Sequence, residues 1–337
     1  MSYVEIESLV KQYGDKTVLD DISLSVEKGE FITLLGQSGC GKSTLLRSIA
    51  GIADVDAGVI KVNGHDITHL PSRKRGIGMV FQSYALFPNM TVTQNISYGL
   101  KLKKKKGHIK IVQDMMAMMG LEELGDRYPH ELSGGQQQRV ALSRSLVMEP
   151  EVLLLDEPFS ALDAKIRKAL QQEIKNIQRK LNITTIFVTH DQKEAMILSD
   201  RIFVMNQGKI VQTGTPDEVY IQPRNKFIAG FMGSYNIIPL NMFKQWTNHA
   251  IHFEKDIAIR PESIMISQQE EEDKKEQAYH LTGKVVAKMV TGNILIYRVA
   301  LPDQTIQIDT LYQYNEQFEE GEEVHIYIPI KACVQVS

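Results

Sequence analysis

Eight consecutive residues, Gly36-Gln37-Ser38-Gly39-Cys40-Gly41-Lys42-Ser43, carry the most specific chemistry in the chain. They follow the pattern G-x-x-x-x-G-K-[ST], between an apolar run, Phe31 to Leu35, and a helical stretch, Thr44 to Ala50. Gly36, Gly39 and Gly41 let the backbone curl so that N–H groups and a helix N-terminus face anionic oxygens, and Lys42 adds positive charge near the terminal phosphates. Ser43 is placed to offer a hydroxyl to Mg²⁺. The loop reads as a polyphosphate cradle. Cys40, beside a helix N-terminus and a lysine, could act as a redox sensor, but the position is read first as a demand for a small side chain.

The run Val152-Leu153-Leu154-Leu155-Asp156-Glu157 reads as a buried strand ending in two carboxylates. Parallel sheets deliver ligand groups at that end. Asp156 would hold Mg²⁺, directly or through water, and Glu157 would polarise the water attacking a γ-phosphate. The two motifs together predict an Mg²⁺-dependent ATPase or GTPase. Leu132-Ser133-Gly134-Gly135-Gln136 lies between them and opens a helix continuing QQRVALSR. A Ser-Gly-Gly turn in isolation could be only an N-cap; its place between the other two motifs narrows the reading.

These residues need a scaffold. From Val4 to about Gln212 short β-branched runs alternate with helical patterns, the mark of an α/β layer structure on a parallel sheet. The expected strands are Phe31 to Leu35, Gly78 to Phe81, Val152 to Leu155, Thr185 to Thr189 and Arg201 to Met205. Ile166, Leu170, Ile174, Ile177 and Leu181 recur at helical spacing and predict a helix from Asp163 to Leu181. A second helical region, Ile109 to Leu124, carries Met115, Met116, Met118 and Met119, read as core filler ahead of an adaptable binding surface. After Gly233 the stretch SYNIIPLNMF looks like a connector. Beyond it, short runs (IHFE, IAIRPE, HLTGKVVAKMV, ILIYRVAL, TIQID, EVHIYIPI, CVQV) predict a small β-barrel or sandwich. The expected domains are 1–235, with a helical subdomain at about 85–150, and 236–337.

Composition bounds the rest. The 337 residues include 38 Lys plus Arg and 41 Asp plus Glu, a near balance with no global pull toward nucleic acid or anionic lipid. Cys40 and Cys333 have no metal-ligand spacing, which argues against a disulfide framework or zinc site and for a reducing, cytoplasmic setting. No apolar run approaches a membrane span or secretory signal. The tracts at 101–106 and 270–276 are read as solvated loops.

The chain resembles the ATP-binding cassette (ABC) ATPases at every cassette motif. Gly36 to Ser43 resemble the Walker A loop, Leu132 to Gln136 the family signature, and Asp156 with Glu157 the end of Walker B. Gln82 resembles the Q-loop glutamine, Ser160-Ala161-Leu162-Asp163 the D-loop, His190 the switch histidine and Tyr13 the adenine-stacking aromatic. The resemblance implies a P-loop NTPase with a RecA-like α/β core and antiparallel β and helical subdomains. Glu157, His190 and Gln82 would be catalytic, and Ser43, Gln82 and Asp156 would hold the metal. Tyr13, residues 36–44 from Gly36 to Thr44, Ser133, Gly134, Gly135, Gln136 and Asp163 would bind ATP.

It also implies a head-to-tail dimer, with each ATP held by Lys42 and Ser43 of one chain and by Ser133 and Gly135 of its partner, and with Asp163 linking the sites. Tyr84 to Met90 resemble the segment that receives a coupling helix from a membrane permease, a reading preferred here over simple core packing. Ile259-Arg260-Pro261-Glu262 resemble the OB-like, TOBE-type regulatory barrel of importer ATPases for maltose, spermidine and putrescine, sulfate, ferric iron and phosphonates. That barrel could bind a ligand or partner, or enlarge the dimer interface, the slightly favoured reading. Val290-Thr291-Gly292-Asn293 and Tyr297 resemble the polyamine, iron and 2-aminoethylphosphonate branch more than the sugar branch. The expectation is an importer ATPase on the cytoplasmic face of permease subunits, served indirectly by an extracellular solute-binding protein. A soluble ABC ATPase acting on a macromolecule is the alternative, followed by an unrelated phosphate-loop NTPase.

Overall fold

The structure, a computed structural model, describes residues 2–160, 162–247, 253–271, 273, 277–313 and 317–337. The chain divides into two compact units, residues 1–217 and 218–337. The division falls upstream of the 235/236 boundary expected from composition.

The first unit begins with β1 (Ser2–Tyr13), β2 (Lys16–Glu27), β3 (Phe31–Gly36), α1 (Lys42–Ala50), β4 (Ala57–Val62), β5 (His65–Asp66) and β6 (Ile77–Val80). Three helices follow: α2 (Val92–Leu102), α3 (His108–Met118) and α4 (Gly134–Leu146). The chain then alternates β7 (Val152–Asp156), α5 (Ala164–Leu181), β8 (Thr184–Thr189), α6 (Gln192–Leu198), β9 (Arg201–Asn206) and β10 (Lys209–Gly214). The main sheet has the order β10-β9-β3-β8-β7-β6, parallel except for the β9–β10 hairpin. A separate antiparallel sheet has the order β2-β1-β4-β5.

Every residue of β3, β7 and β8 is buried, which is why these strands read as unbroken apolar runs. Strand alternation sends neighbours to opposite layers. Phe31, Leu153, Leu155 and Phe187 join the core shared with α2 to α5, while Ile32, Leu34, Val152, Leu154, Ile186 and Val188 join the core shared with α1 and the antiparallel sheet. The phosphate-loop strand is thus gripped from both sides. The five expected strands are present with ends within about a residue. The long pair β1 and β2, which precedes Phe31, was not singled out by patterning. In α5, Leu170, Ile174 and Ile177 are buried, but Ile166 and Leu181 near the helix ends are exposed. The expected helix at 109–124 stops at Met118; Gly120 has φ +60° and a short 3₁₀ turn, Glu122–Leu124, follows. Met116 and Met119 are buried as core.

Helix α7 (Pro216–Ile221) spans the division, and α8 (Lys226–Phe231) follows. The expected connector is in fact structured: it holds β11 (Asn236–Ile238) and the start of α9 (Leu240–Trp246), with Ile238 and Phe243 fully buried. The stretch is largely apolar, and its buried anchors seat both elements. The remaining strands are β12 (Asp256–Ile259), β13 (Met265–Ser267), β14 (Ala278–Thr291), β15 (Ile294–Ala300), β16 (Thr305–Leu311), β17 (Glu323–Pro329) and β18 (Val334–Val336). They form two antiparallel sheets, β11-β12-β18 and β13-β17-β14-β15-β16, over one core that includes Leu295, Tyr297, Ile308 and Ile326. Part of the IHFE run and most of the 270–276 tract lie outside the described residues, whereas residues 101–104 are exposed, although Lys101 and Leu102 close α2 rather than lying in a loop.

Candidate functional site

The loop after β3 turns sharply into α1. Gly41 sits at the helix N-cap with φ +108°, and a Cβ there would lie 2.8 Å from the Val18 carbonyl. At Gly36 a Cβ would collide with the Met205 backbone. Both positions therefore exclude a side chain on steric grounds. Gln37, Ser38 and Gly39 are exposed at the tip; Cys40 is buried, a free thiol packed in the core beneath the loop. That burial favours the small-filler reading of Cys40. Lys42 is only 4% exposed, and its Nζ donates to the carbonyls of Gly36 at 2.8 Å and Gln37 at 2.9 Å. Ser43 and Thr44 are half-buried in the first turn of α1.

β7 runs parallel to β8 and delivers Asp156 at its C-terminal end, 5% exposed. Ser43 Oγ donates to Asp156 Oδ1 at 2.9 Å, so loop and carboxylate meet as expected. Burial raises the Asp156 pKa above its ordinary 3.8, while the Ser43 hydroxyl and the positive charge of Arg47 pull the other way. The next residue, Glu157, has φ +43°, a left-handed conformation that a side chain disfavours. Strain of this kind persists where surrounding contacts hold it, and Glu157 N donates to Val188 O at 3.1 Å. The twist separates the two carboxylates. Asp156 turns to Ser43, whereas Glu157 Oε2 accepts from Gln82 Nε2 at 3.3 Å and Glu157 Oε1 lies 3.3 Å from His190 Nδ1. Gln82 also reaches Ser160 Oγ at 3.4 Å. His190, with a side chain 56% exposed, follows β8 at the same sheet edge.

The structure thus brings together Lys42, Ser43, Asp156, Glu157, Gln82 and His190. It leaves the signature turn apart. Ser133 is exposed and caps α4 in a reciprocal box: its Oγ accepts from Gln136 N at 3.4 Å, and its own N donates to Gln136 Oε1 at 2.9 Å. Gly134 and Gly135 pack on the D-loop and the start of α5, where added Cβ atoms would stand 3.1 Å from Leu162 and 3.0 Å from Ile166. Asp163 is exposed and caps α5 through Lys165 N at 3.1 Å and Ile166 N at 3.0 Å. Ala161 lies outside the described residues. Tyr13, at the end of β1, is 52% exposed, with Lys11 Nζ 5.1 Å from its ring centre.

Patterning gave no role to Arg144 and Asn95, which hold the glutamine loop. Tyr84 and Ala85 both have positive φ, and Tyr84, expected on the permease-facing surface, is instead buried in the core with its hydroxyl donating to Pro158 O at 3.2 Å. Arg144 on α4 donates to Ala85 O at 2.8 Å and Tyr84 O at 3.1 Å, and its guanidinium sits 5.2 Å from the Phe87 ring. Asn95 on α2 exchanges hydrogen bonds with the backbone of Phe87. The loop is therefore tied both to the carboxylate strand and to the helical subdomain, while Ser83, Ala85, Pro88 and Asn89 remain exposed. Arg75 is the second omission: buried, it donates to carbonyls of Ser48, Ile49, Thr68 and Leu70 at 2.7–2.9 Å and anchors the C-terminal end of α1. No periodicity or motif marks either arginine.

The chain is similar to known proteins along both units. Residues 19–160 match the ABC transporter family, and residues 257–336 match the TOBE domain. The chain is 42% identical over 334 residues to the spermidine/putrescine import ATP-binding protein PotA of Haemophilus influenzae, covering 93% of this chain and 89% of that protein. It is 44% identical over 287 residues to the Fe(3+) ions import ATP-binding protein FbpC of Escherichia coli O157:H7, covering 81% and 82%. Sulfate/thiosulfate import ATP-binding protein CysA 2 of Chromobacterium violaceum is 53% identical over 238 residues, 70% of this chain and 65% of that protein. Among solved structures, cbiO1 of Clostridium perfringens, part of the ABC transporter complex cbiONQ, aligns with TM-score 0.61 and 34% identity over 65% of this chain and 91% of that one. A dimeric post-hydrolysis state of the ATP-binding cassette MJ0796, bound to ADP and Pi, aligns with TM-score 0.57 and 29% identity over 63% of this chain and 98% of that one. The chain belongs to the ABC transporter ATP-binding family and carries a C-terminal TOBE domain. It is an ABC ATPase.

Proposed function

We propose that the chain is the ATP-hydrolysing subunit of a binding-protein-dependent importer, working as a homodimer against separate membrane permease subunits. The observation that carries the mechanism is the convergence of Lys42, Ser43, Asp156, Glu157, Gln82 and His190 at one sheet edge, with Ser133 exposed elsewhere. One chain presents half a site. Lys42 would exchange its loop carbonyls for phosphate oxygens, as Tyr13 stacks on adenine. Glu157, its two oxygens already directed at Gln82 and His190, would accept a hydrogen bond from the attacking water and orient it in line with the γ-phosphate. His190 would steady that phosphate. Ser133 and Gly135 of the partner subunit would close the site from the far side, where a helix N-terminus favours negative charge. Release of the cleaved phosphate removes the charge that draws the halves together, and the dimer opens.

The donors present fit a divalent cation: Ser43 and Asp156 place two hard oxygens 2.9 Å apart, and a dication would offset the burial of the Asp156 carboxylate. Ser43, Asp156 and Gln82 would hold Mg²⁺, which neutralises charge on the phosphate oxygens.

Similarity along nearly the whole length to import ATP-binding proteins supports an importer over a soluble ATPase acting on a macromolecule. Polyamine and ferric iron, named for two of these relatives, are the first solutes to test. Among the described residues no helix is long and apolar enough to cross a membrane. The subunit would act peripherally, on the cytoplasmic face, with the exposed residues Ala85, Pro88 and Asn89 of the 84–90 segment receiving the permease, the 1–235 region hydrolysing ATP and the 236–337 region regulating or widening the dimer. The test is gentle detergent extraction of the tagged chain, identification of stoichiometric partners, and ATPase assay with candidate solutes and their binding protein. A polytopic permease, and turnover stimulated by spermidine or Fe³⁺ with that binding protein, is the expected result. Ribosomal or repair proteins with no permease would sink the importer.

A further inference from the structure

Glu194, in the first turn of α6, is a buried carboxylate that the nucleotide site does not use. Burial raises its pKa, opposed by the Thr189 hydroxyl and by Arg167. Its Oε2 accepts from Thr189 Oγ1 at 2.6 Å, and that same hydroxyl accepts from Asp191 N at 3.0 Å. Asp191 Oδ1 caps α6 through Lys193 N at 2.8 Å and Glu194 N at 3.2 Å. His190 is therefore bracketed by two residues bound into one network.

Arg167 faces this network from α5. Its Nη2 donates to the Leu162 carbonyl at 3.0 Å, its Nη1 lies 3.7 Å from Asp191 Oδ2 and its Nε 3.8 Å from Glu194 Oε1. Nε is buried with no hydrogen-bond partner among the described residues. A buried N–H facing a buried carboxylate just beyond bonding distance favours closure of that gap. The same helix is keyed to α4, the helix capped by Ser133, through Arg139 and Glu173 at 2.8 Å. The Leu162–Asp163 segment, the signature helix and the histidine turn thus share one support.

We propose that Arg167 is a positioning residue for His190: with Glu194 and Asp191 it clamps the histidine turn to the Leu162–Asp163 segment, so that movement of that segment at the dimer contact sets the distance from His190 to Glu157. This rests on the ATPase reading above. It adds a device within one chain that couples the two halves of the site.

The test compares the full-length chain with Arg167→Ala, Arg167→Lys and the double variant Arg167→Met/Glu194→Gln, measuring kcat, KM, nucleotide affinity and Tm. Arg167→Ala is expected to lower kcat roughly tenfold or more while nucleotide affinity changes less than about twofold. Arg167→Lys should recover part of kcat by restoring the cation. The double variant should recover Tm, because no unpaired buried charge remains, yet not kcat, because the tether to Leu162 is still missing. Recovery of both would make the pair a folding element only and overturn the proposal, as would wild-type kcat in Arg167→Ala. A wild-type chain without ATP turnover would instead overturn the ATPase reading, so the two failures are distinguishable.

Discussion

The two halves of the nucleotide site are built in opposite ways. On the phosphate-loop side Lys42, Ser43, Asp156 and Glu157 are buried or half-buried and already hydrogen-bonded: Lys42 to carbonyls of its own loop, and, across long stretches of chain, Ser43 to Asp156 and Glu157 to the exposed Gln82. On the signature side Ser133 and Asp163 are exposed, and among the described residues their side chains make only local helix-cap hydrogen bonds. The first half is organised before any partner arrives; the second is a surface that gains a function only when another copy presents its phosphate loop. This asymmetry suits an engine, because a site complete within one chain would have no reason to open and close.

The largest test of the contrast is at the first half. Glu157→Gln should lower steady-state phosphate release by about 10²-fold or more while keeping ATP binding, so that a closed dimer accumulates in size-exclusion chromatography with ATP. Equal hydrolysis in the two proteins would remove Glu157 as the water-orienting group. Lys42→Ala should instead lose tight nucleotide binding, seen with a fluorescent ATP analogue, and form no such dimer. At the second half, Ser133→Ala should leave nucleotide affinity of the monomer near wild type, lower turnover roughly tenfold and remove about 1 kcal/mol of helix-cap stability. A variant that lost monomer affinity as well would show the halves to be less separate than the geometry says.

Arg75→Ala probes how the first half is braced. Loss of a buried guanidinium that serves carbonyls of Ser48, Ile49, Thr68 and Leu70 should cost about 3 kcal/mol by chemical denaturation. The smallest stability effect concerns Asp156. Its folded pKa is raised, so the folded chain holds the proton more tightly than the unfolded one; its contribution is most favourable at low pH and is lost as pH rises from about the unfolded value of 3.8 through the higher folded value. Asp156→Asn should remove that loss. The expected outcome is a higher Tm than wild type at neutral pH, a difference that shrinks as pH is lowered toward the carboxylate range, together with loss of hydrolysis. A variant melting below wild type at pH 7 would mean that the Ser43 bond outweighs the burial cost.

Much of this was legible in residue order. A glycine-rich turn between a strand and a helix can form only from residues like those at 36 to 43, and the unbroken apolar run before Asp156 required a strand covered on both faces. Caps such as Ser133 and Asp163 are also local, since a side chain there serves amides two or three residues on. The second unit was less legible. Its strands were visible by alternation, but β11 and α9 are short, and their stability comes from seating Ile238 and Phe243 in a core that no local window contains.

Residue order by itself determined which groups could bind phosphate and metal, and which strands and helices would carry them, because turns, caps and alternation depend on near neighbours. Only the tertiary structure decided how those groups are held. The left-handed twist at Glu157, the arginines at 75, 144 and 167 reaching carbonyls and carboxylates on other elements, and the tie between Glu194 and Thr189 depend on groups brought together by packing. A buried charge leaves no periodic trace in a sequence; its partners are chosen by distance in space, where burial makes an unpaired group costly.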